Sequence, residues 1–462
     1  MAHQVGNRAV VLGGSMAGLL AARVLAGSFG TVTVVDRDEI VDVRGYRKGV
    51  PHGRHAHGLL ARGHHILEEL FPGLTDELRA AGVETGDLSA DCEWYFNAKR
   101  LAPGPCGLLV IPATRPVLEY HVRKRVQAIA NVTILDRCSV LGLQMSPGNR
   151  RATGVRVSRE AAGEPETLAA DLVVDATGRG SRMPAWLEEL GYPRAAEDRV
   201  KIDLAYTTRH YRLRDNPFGE RGLGIIPVAT PSHPRGAFFY PLPGGDRTRA
   251  ELSLTGILGD HPPTDPEGFL AYVKTLPVPA IYESVRDAEP LDDPVSFRFP
   301  VSVRRRYERM TRFPDRVLVI GDAIASFNPV YGQGMTAAAL GAHLLGKHLA
   351  GGVMPTPQRF FRDLAGALDA PWEISATSDL SYPEVAGTRT MKVRMLNGFM
   401  ARLQAAAVHD ADLTGAFFRT AGLIESPQSL MRPGRFWRVL RKSRWPVPAS
   451  ADPLAESAAA DR

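Results

Sequence analysis

The residues that most clearly indicate a chemical role form a glycine-rich turn close to the amino terminus. The turn consists of Gly13, Gly14, Ser15, Met16, Ala17 and Gly18. A short apolar segment precedes it and an alanine- and leucine-rich segment follows, which predicts a strand, a turn and a helix. Glycines here allow a tight bend, a close approach of backbone N–H groups to phosphate, and close packing of helix on strand. The turn therefore predicts a site for the pyrophosphate of a dinucleotide, beside the positive end of a helix.

A carboxylate closes the second predicted strand of the same unit. Asp36 follows the β-branched segment 31–35. Its spacing from Gly13 suits an acceptor for the ribose hydroxyls of a dinucleotide. Arg37 follows directly and is a further candidate for contact with the cofactor. Ser15 stands where the second glycine of the fingerprint usually lies, and its small side chain is compatible with that role. The alternative is a glycine turn without a ligand in another α/β protein.

Residues 37–62 form a polar, basic segment that is rich in histidine. Its histidines and the two that follow are His52, His55, His57, His64 and His65. Their spacing matches no common metal site, and no acidic or cysteine ligand is interleaved with them, so we predict no metal. Two roles stay open for the segment: a loop over the cofactor, with Arg54 near its phosphate or ring, or a solvated polar loop.

Two later strands also end in glycine-containing turns. The apolar segment 170–175 leads to Thr177 and Gly178, and the apolar segment 316–320 leads to Gly321 and Asp322. Cofactors bind at the carboxyl ends of strands in open α/β sheets, so both turns are predicted to contact one. The structural alternatives are a turn with no ligand and an aspartate that only caps its own turn.

The starts of two predicted helices supply the remaining cofactor candidates. A helix beginning near Thr114 places Arg115 at its positive end, which favours an opposing anion or carbonyl group, although an ordinary surface arginine is the alternative. A second helix, which extends to residue 349, has glycines at its start that leave backbone N–H groups free for an electronegative group. The candidates there are Pro329, Gly332, Gln333, Gly334 and Met335.

From about residue 202 to 299 the pattern changes to an alternation of apolar and polar residues, with turns rich in Pro, Gly and Asp. The alternation predicts an antiparallel sheet inserted in the dinucleotide-binding unit. Tyr206, Tyr240 and His210 lie in this sheet and, with Arg54, are the candidate catalytic residues. No motif distinguishes any of them.

The segment after residue 355 is predicted to be helical. Near its end, arginines recur at every third position among aromatic residues: Arg432, Arg435, Arg438, Arg441 and Arg444, with Phe436, Trp437 and Trp445. We favour a solvated helix whose arginine stems cover the core. A segment lying in a membrane interface is the alternative.

These patterns together predict an α/β fold with an α+β insert. It comprises a Rossmann-like cofactor domain, an inserted antiparallel-sheet substrate domain and a C-terminal helical region. The predicted divisions are 1–90, 113–185 and 301–352 for the cofactor domain, 91–112 and 186–300 for the substrate domain, 353–448 for the helical region, and 449–462 for a disordered tail.

Composition excludes several classes of protein. The chain has 462 residues, of which 44% are hydrophobic and 23% charged, as in ordinary globular proteins. The net charge of +6 is scattered, so we do not predict nucleic-acid binding. The three cysteines, Cys92, Cys106 and Cys138, form no CxxC pair and suit a reducing compartment. We find no signal peptide or transmembrane segment and expect a cytoplasmic protein.

Three separated motifs together resemble the group A FAD-dependent monooxygenases, typified by aromatic hydroxylases and squalene epoxidase. The likeness covers about residues 9–349 and includes RKGVPHGRHAH (47–57), DATGRGSR (175–182) and GDAIASFNPVYGQGM (321–335). It looks closest to actinobacterial natural-product epoxidases of the monensin and lasalocid type. The chain departs from the pattern at Thr177, where the family often has Asp, and at Gln333, where those epoxidases have His.

The resemblance implies an FAD-binding domain of the glutathione-reductase and aromatic-hydroxylase type. By the same resemblance Gly13, Gly14 and Gly18 lie on the FAD pyrophosphate and Asp36 on the adenosine ribose. Arg115 is implied to lie near the cofactor, Asp322 on the ribityl chain, and residues 332–335 beside the pyrimidine ring of the flavin.

The implied activity is insertion of one oxygen atom from O₂, through a flavin C4a-hydroperoxide, into a hydrophobic small molecule. NADPH or NADH, or a separate flavin reductase, would supply the electrons. An alkene needs no protein base, so epoxidation of a polyketide or terpenoid alkene is slightly favoured. Phenol hydroxylation is the first alternative, and a flavin reductase or dehydrogenase without oxygen insertion is the second. A non-catalytic flavin-binding or membrane-docking protein is the third, and a halogenase is disfavoured because no Trp-x-Trp-x-Ile segment is present.

Overall fold

The computed structural model describes residues 4–160 and 163–453. Its strands, numbered in chain order, are β1 (Gly6–Leu12), β2 (Phe29–Val35), β3 (Gly86–Asp87), β4 (Cys92–Phe96), β5 (Lys99–Arg100), β6 (Leu109–Val110), β7 (Val132–Leu135), β8 (Cys138–Met145), β9 (Ala152–Arg159), β10 (Pro165–Ala169), β11 (Leu172–Asp175), β12 (Glu197–Arg212), β13 (Gly224–Pro227), β14 (Gly236–Pro241), β15 (Arg249–Gly256), β16 (Glu289–Pro290), β17 (Val295–Arg305), β18 (Val317–Val319) and β19 (Ala325–Ser326). Its α-helices are α1 (Met16–Leu25), α2 (Ala61–Leu70), α3 (Leu74–Ala80), α4 (Arg115–Gln127), α5 (Met183–Glu189), α6 (Pro266–Val273), α7 (Pro279–Val285), α8 (Gln333–Leu349), α9 (Pro357–Asp379), α10 (Met391–Ala407), α11 (Ala411–Ala421) and α12 (Pro433–Lys442).

A five-stranded parallel sheet organises the predicted cofactor domain. Its strand order is β18-β11-β1-β2-β7, and every neighbouring pair is parallel. Helices α1 and α8 pack against each other beside it, and β9 of a three-stranded antiparallel sheet (β10-β9-β8) contacts β11. The carboxyl ends of β1, β11 and β18 lead into the three glycine turns. The predicted α/β fold is confirmed.

A nine-stranded sheet forms the insert. Its order is β19-β17-β12-β15-β14-β13-β4-β5, with β16 also paired to β12, and its pairs are antiparallel except β13 with β4. One face buries Phe239, Leu252 and Leu254 against α6 and α7. Side chains alternate along a strand, so the residues between these point to the opposite face. The antiparallel insert predicted from the alternating pattern is therefore present.

Helices α10, α11 and α12 close over the outer strands of the insert. Leu403, Ala406 and Phe418 bury against Phe96 and Leu101 in one cluster. No helix in residues 4–160 and 163–453 is long and apolar enough to span a bilayer.

The arginine-rich helix α12 is held by ion pairs to its neighbours. Arg435 pairs with Glu425 at 2.6 Å, and Arg438 pairs with Asp410 at 2.5 Å. Trp437 is 68% exposed on the outer side of this helix. Two of the five arginines thus pair with carboxylates of the neighbouring segments.

Three sequence expectations differ from the structure. Strand β6 lies within 91–112 but pairs with β3 in a separate two-stranded sheet. Strand β17 continues past residue 300 to Arg305, because it pairs along β12 as far as Glu197. Residues 449–451 form a short 3₁₀ turn, and Asp452 pairs with Lys99, so the expected disorder does not begin at 449. Residues 454–462 of the expected tail lie outside the described residues.

Removing a ring from the core of the insert tests this packing. Phe239 is fully buried between the sheet and α6, so Phe239→Ala should lower the free energy of unfolding by about 3–5 kcal/mol. Val353→Ala is the control, because Val353 is 69% exposed and its loss should cost less than about 0.5 kcal/mol. Urea unfolding followed by circular dichroism measures both. Equal effects of the two substitutions would contradict the placement of Phe239.

Candidate functional site

The first and second glycine turns touch through their backbones. Gly13 has φ +97°, and a Cβ added there would lie 2.6 Å from the carbonyl oxygen of Ala176. A Cβ on Gly18 would lie only 1.7 Å from the carbonyl oxygen of Gly13. Both separations are far below van der Waals contact, so these positions require glycine. The first turn thus packs on the second at the ends of β1 and β11.

The third glycine turn meets the first from the other side. Gly321 has φ +62°, and a Cβ added there would lie 2.8 Å from the Cβ of Ala17. Burial raises the pKa of the Asp322 carboxyl, and the guanidinium groups of Arg179 and Arg115 partly oppose this. All three turns therefore converge at one edge of the parallel sheet, with Asp322 facing charges from the other segments.

Thr177 and Gly178 are part of the second turn, and Thr177 is hydrogen-bonded within it. The backbone N–H and hydroxyl of Thr177 both donate to the carboxylate of Asp175, at 2.9 and 2.6 Å. Gly178 follows with φ +76°. Asp175 is fully buried, and burial raises its pKa while these hydrogen bonds oppose the increase.

Asp36 is bound to the glycine turn. Its Oδ2 accepts a 2.6 Å hydrogen bond from the N–H of Gly14, and its Oδ1 accepts one of 2.8 Å from the N–H of Asp38. Burial raises the pKa of Asp36, against the opposing charge of Arg47. Arg37 is exposed.

A buried cluster of charges lies beside the start of α1. The Nη2 of Arg115 donates to the hydroxyl of Ser15 at 2.7 Å and to Glu119 at 2.9 Å. Arg47 donates to the other oxygen of Glu119 at 2.7 Å and lies 3.7 Å from Asp36. Burial would raise the pKa of Glu119, but Arg115 and Arg47 lower it overall. Arg115 is thus a buried, paired side chain, and the surface-arginine alternative is wrong.

The third motif forms a turn at the start of α8. Pro329–Tyr331 is a 3₁₀ turn, and Gly332, with φ +65°, caps the helix. Gln333 and Met335 are buried in the first turn of α8, and a Cβ on Gly334 would lie 3.8 Å from Asp322.

Asp379 of α9 anchors the same turn. It accepts hydrogen bonds from Asn328 at 2.7 Å and from the hydroxyl of Tyr331 at 2.9 Å. Burial raises the pKa of Asp379 to about 7, although these two bonds oppose the increase. The turn is thus held from behind by a carboxyl group that titrates near neutrality.

We call residues 51–58 the histidine loop; it lies between the cofactor domain and the insert. At one end, a Cβ on Gly53 would lie 3.6 Å from the side chain of Arg115. At the other end, the carbonyl oxygen of Gly58 lies 3.6 Å from a Cβ placed on Gly332. Arg54 is exposed, with its guanidinium 4.8 Å from the ring centre of Tyr46. The loop therefore contacts two of the predicted cofactor elements, whereas Arg54 projects from it to the surface.

The candidate bases in the insert share the sheet face that meets the histidine loop. Tyr206, Thr208 and His210 alternate along β12, and the register places His210 opposite Glu251 and Thr208 opposite Ser253. The ring of Tyr206 lies 6.0 Å from that of His55.

Tyr240 belongs to the same group, because β14 pairs it with Glu251. Burial, followed by the charge of Glu251, holds the pKa of Tyr240 well above its usual value. The structure thus brings Tyr206, His210 and Tyr240 together around residues that the sequence did not single out.

Several of these partners carried only weak sequence signals. Glu119 follows Arg115 at the i,i+4 spacing of a helical ion pair, and Glu251 and Ser253 are two apart on a strand. Arg47 and His55 lie in irregular segments and carried no such signal. Among the described residues, no group of three or more His, Cys, Asp or Glu side chains could hold a metal ion.

Comparisons with known proteins agree with this geometry. Among solved structures, a flavoprotein/dehydrogenase from Cytophaga hutchinsonii has a TM-score of 0.66 at 14% identity, with 95% of this chain and 98% of that chain covered. PqsL from Pseudomonas aeruginosa, described as a probable FAD-dependent monooxygenase, has a TM-score of 0.55 at 18% identity, with 89% and 99% covered. At these identities the likeness shows a shared fold.

Sequence comparison is more specific. Protein Rv3254 of Mycobacterium tuberculosis is 34% identical over 448 residues, which is 92% of this chain and 92% of that protein. A family model described as an FAD binding domain matches residues 7–354, a range that contains all three glycine turns and the insert. The chain therefore belongs to the FAD binding domain family.

Proposed function

We propose that the three converging turns hold FAD in the way the sequence motifs suggest. Residues 13–18 would bind the pyrophosphate with the free N–H groups at the start of α1. Asp36 would accept from the adenosine ribose and Asp322 from the ribityl chain, while residues 332–335 would line the flavin ring. The proposal is supported by the close backbone packing that only glycine permits at Gly13 and Gly18, which brings the turns to the same ends of the parallel strands.

Unpartnered polar atoms support the same placement. Within the described part of the chain, the buried Oε1 of Gln333 and Oγ1 of Thr336 have no hydrogen-bond partner. Both lie in the first turn of α8. The amide oxygen of Gln333 can only accept and would take a hydrogen bond from an N–H of the flavin, whereas the hydroxyl of Thr336 could donate to a flavin oxygen. A buried polar atom without a partner costs free energy, and a cofactor that hydrogen-bonds there would remove that cost.

The function that we propose on this basis is an FAD-dependent monooxygenase acting on an apolar small molecule. Bound FAD would supply the activation of O₂. The observation that carries the proposal is the position of the histidine loop, which joins Arg115 and Gly332 on one side to the inserted sheet on the other. Aromatic side chains line the meeting point: the ring of Phe297 lies 5.7 Å from that of His52 and 5.9 Å from that of His55. A substrate held there would lie against the cofactor with water excluded.

Two oxygen insertions fit this arrangement. Epoxidation of a polyketide or terpenoid alkene follows from the motif resemblance and needs no base. Hydroxylation of a phenol gains from a base, and the polar residues around Glu251 are the specific observation in its favour. The sequence favoured epoxidation because no residue of the inserted sheet stood out as a base. With polar side chains gathered around Glu251, that argument no longer separates the two reactions.

The electron donor and the cellular location are also proposals. NADPH or NADH, used directly or through a separate flavin reductase, would reduce the cofactor. The free, buried thiols of Cys92, Cys106 and Cys138 are compatible with a cytoplasmic location.

Asp322 provides a direct test of the cofactor site. Asp322→Asn removes the charge that would accept from the ribityl chain and keeps the shape of the side chain. Losing a charge-assisted hydrogen bond of about 1.5–3 kcal/mol should weaken FAD binding roughly 10- to 100-fold. Titration of the apoprotein with FAD, followed by flavin fluorescence, measures the change. Asp76→Asn, at a carboxylate with 81% side-chain exposure, is the control and should bind FAD like the wild type; equal affinity of all three proteins would exclude the ribityl role.

Isotopic oxygen distinguishes the proposed activity from its rivals. The FAD-loaded protein, supplied with NAD(P)H and ¹⁸O₂, should place one ¹⁸O atom in a product from a panel of apolar alkenes and phenols. Mass spectrometry identifies an epoxide or a diphenol. Oxidation of NAD(P)H with no ¹⁸O in any organic product would instead indicate a reductase or dehydrogenase.

A further inference from the structure

A row of buried polar side chains runs from the histidine loop across β12 and β15, two interior strands of the inserted sheet. We call His55, Thr208, Ser253 and Glu251 the polar row. The Nδ1 of His55 lies 2.8 Å from the hydroxyl of Thr208, which lies 2.5 Å from that of Ser253. Ser253 in turn donates to Glu251 at 3.0 Å. None of these side chains is more than 4% exposed, so their hydrogen bonds are made to one another and not to bulk water.

The partners of Ser253 determine the direction of every hydrogen bond in the polar row. Ser253 accepts from the backbone N–H of Ala56 at 3.0 Å and faces the carboxylate of Glu251, which can only accept. Its single proton therefore goes to Glu251, so the hydroxyl of Thr208 must donate to Ser253. Because Thr208 has then used its only proton, the hydrogen bond between Thr208 and His55 must be donated by the Nδ1–H of His55.

This direction leaves one nitrogen of His55 as a base. With the proton on Nδ1, the Nε2 carries a lone pair. That atom is buried and has no hydrogen-bond partner among residues 4–160 and 163–453. The rings of Tyr206 and Phe297 lie near the imidazole ring of His55, at 6.0 and 5.9 Å between ring centres. A buried acceptor between aromatic rings, on a loop that contacts Arg115 and Gly332, is where the hydroxyl of an aromatic ligand would bind.

The other end of the polar row reaches the surface. His210 lies 3.4 Å from Glu251 and 2.6 Å from Asp292, whose side chain is 41% exposed. Burial lowers the pKa of His210, but its bonds to Asp292 and Glu251 outweigh this and raise it to about 9. His210 is therefore a cation at neutral pH that stabilises the Glu251 carboxylate. Tyr240 and Tyr46 also face Glu251, and both pKa values are raised by burial and by its charge.

His55 itself stays neutral under the same conditions. Burial, with smaller contributions from Arg54 and His210, lowers the pKa of His55 to about 4. His52 and His57 on the same loop have lowered pKa values as well, mainly through burial. A proton arriving at His55 therefore has to move on to Glu251, because an imidazolium is unfavourable there.

We propose that the polar row takes the proton from the hydroxyl group of a phenolic or enolic substrate. The substrate O–H bond breaks as its proton goes to Nε2 of His55, and the Nδ1 proton passes to Thr208. The proton of Thr208 passes to Ser253 and that of Ser253 to Glu251, so one O–H bond forms on the carboxyl group. The net change is one proton moved and one negative charge transferred from Glu251 to the substrate oxygen. This inference rests on the proposed monooxygenase function, in which an electron-rich phenolate is the better acceptor of oxygen.

The tautomer of His55 tests the polar row without any turnover. Nitrogen-15 NMR of the FAD-loaded protein, with His55 assigned through His55→Gln, should show a proton on Nδ1 and none on Nε2 at pH 7. Thr208→Ser keeps the hydroxyl and should keep that tautomer, whereas Thr208→Val removes the acceptor and should lose the preference. A proton on Nε2 of the wild-type protein would overturn the proposal, because the row would then run in the wrong direction.

Phenol turnover provides the second test. Thr208→Val should lower kcat/KM for phenols at pH 7 by about 100-fold, the lower range for loss of a general base. The loss should diminish as the pH approaches the pKa of the free phenol, since the substrate then ionises in solution. Thr208→Ser should retain the wild-type pH profile. Thr207→Val is the matched control, because that hydroxyl is equally buried but donates to the carbonyl of Pro262.

The outcomes separate this inference from the proposed function. Unchanged pH profiles in Thr208→Val, or ¹⁸O insertion into alkenes alone, would overturn the polar row and leave the monooxygenase standing. A protein that binds no FAD, or that places no ¹⁸O in any product, would overturn the function itself.

Discussion

The structure depends on a backbone contact that only glycine permits. The carbonyl of Gly13 lies where a Cβ of Gly18 would have to be, so any larger residue would push α1 away from β1. The same closeness lets Gly321 rest on Ala17 and Gly13 on Ala176, which joins segments from three parts of the chain. This approach sets where the N–H groups at the start of α1 are directed.

Charges around that contact are balanced within the protein. Glu119 is 3% exposed, yet its carboxylate is surrounded by guanidinium groups from Arg47 and Arg115, which compensate for its removal from water. Removing one partner would leave a buried charge uncompensated. The cluster therefore couples the histidine-rich segment, α4 and the first turn, and a change in one of them is transmitted to the others.

The sequence predicted the features that depend on local pattern. Strand-end carboxylates and glycines identified Asp36, Asp322 and the three turns, and alternation identified the inserted sheet. It did not reveal Arg47 beside Glu119, because their contact spans 72 residues and depends on the path of an irregular loop. It also missed the polar row, since only the register of β12 on β15 shows that Thr208 faces Ser253.

The discontinuous layout has a consequence for biosynthesis. Strand β11 pairs with β1 across more than 150 residues of sequence, and β18 joins them only after most of the insert has been made. The edge of β11 that pairs with β18 therefore stays open in the nascent polypeptide until residues 317–319 have left the ribosome. Pairing of such distant strands is slow, so premature termination within the insert would release fragments prone to aggregation.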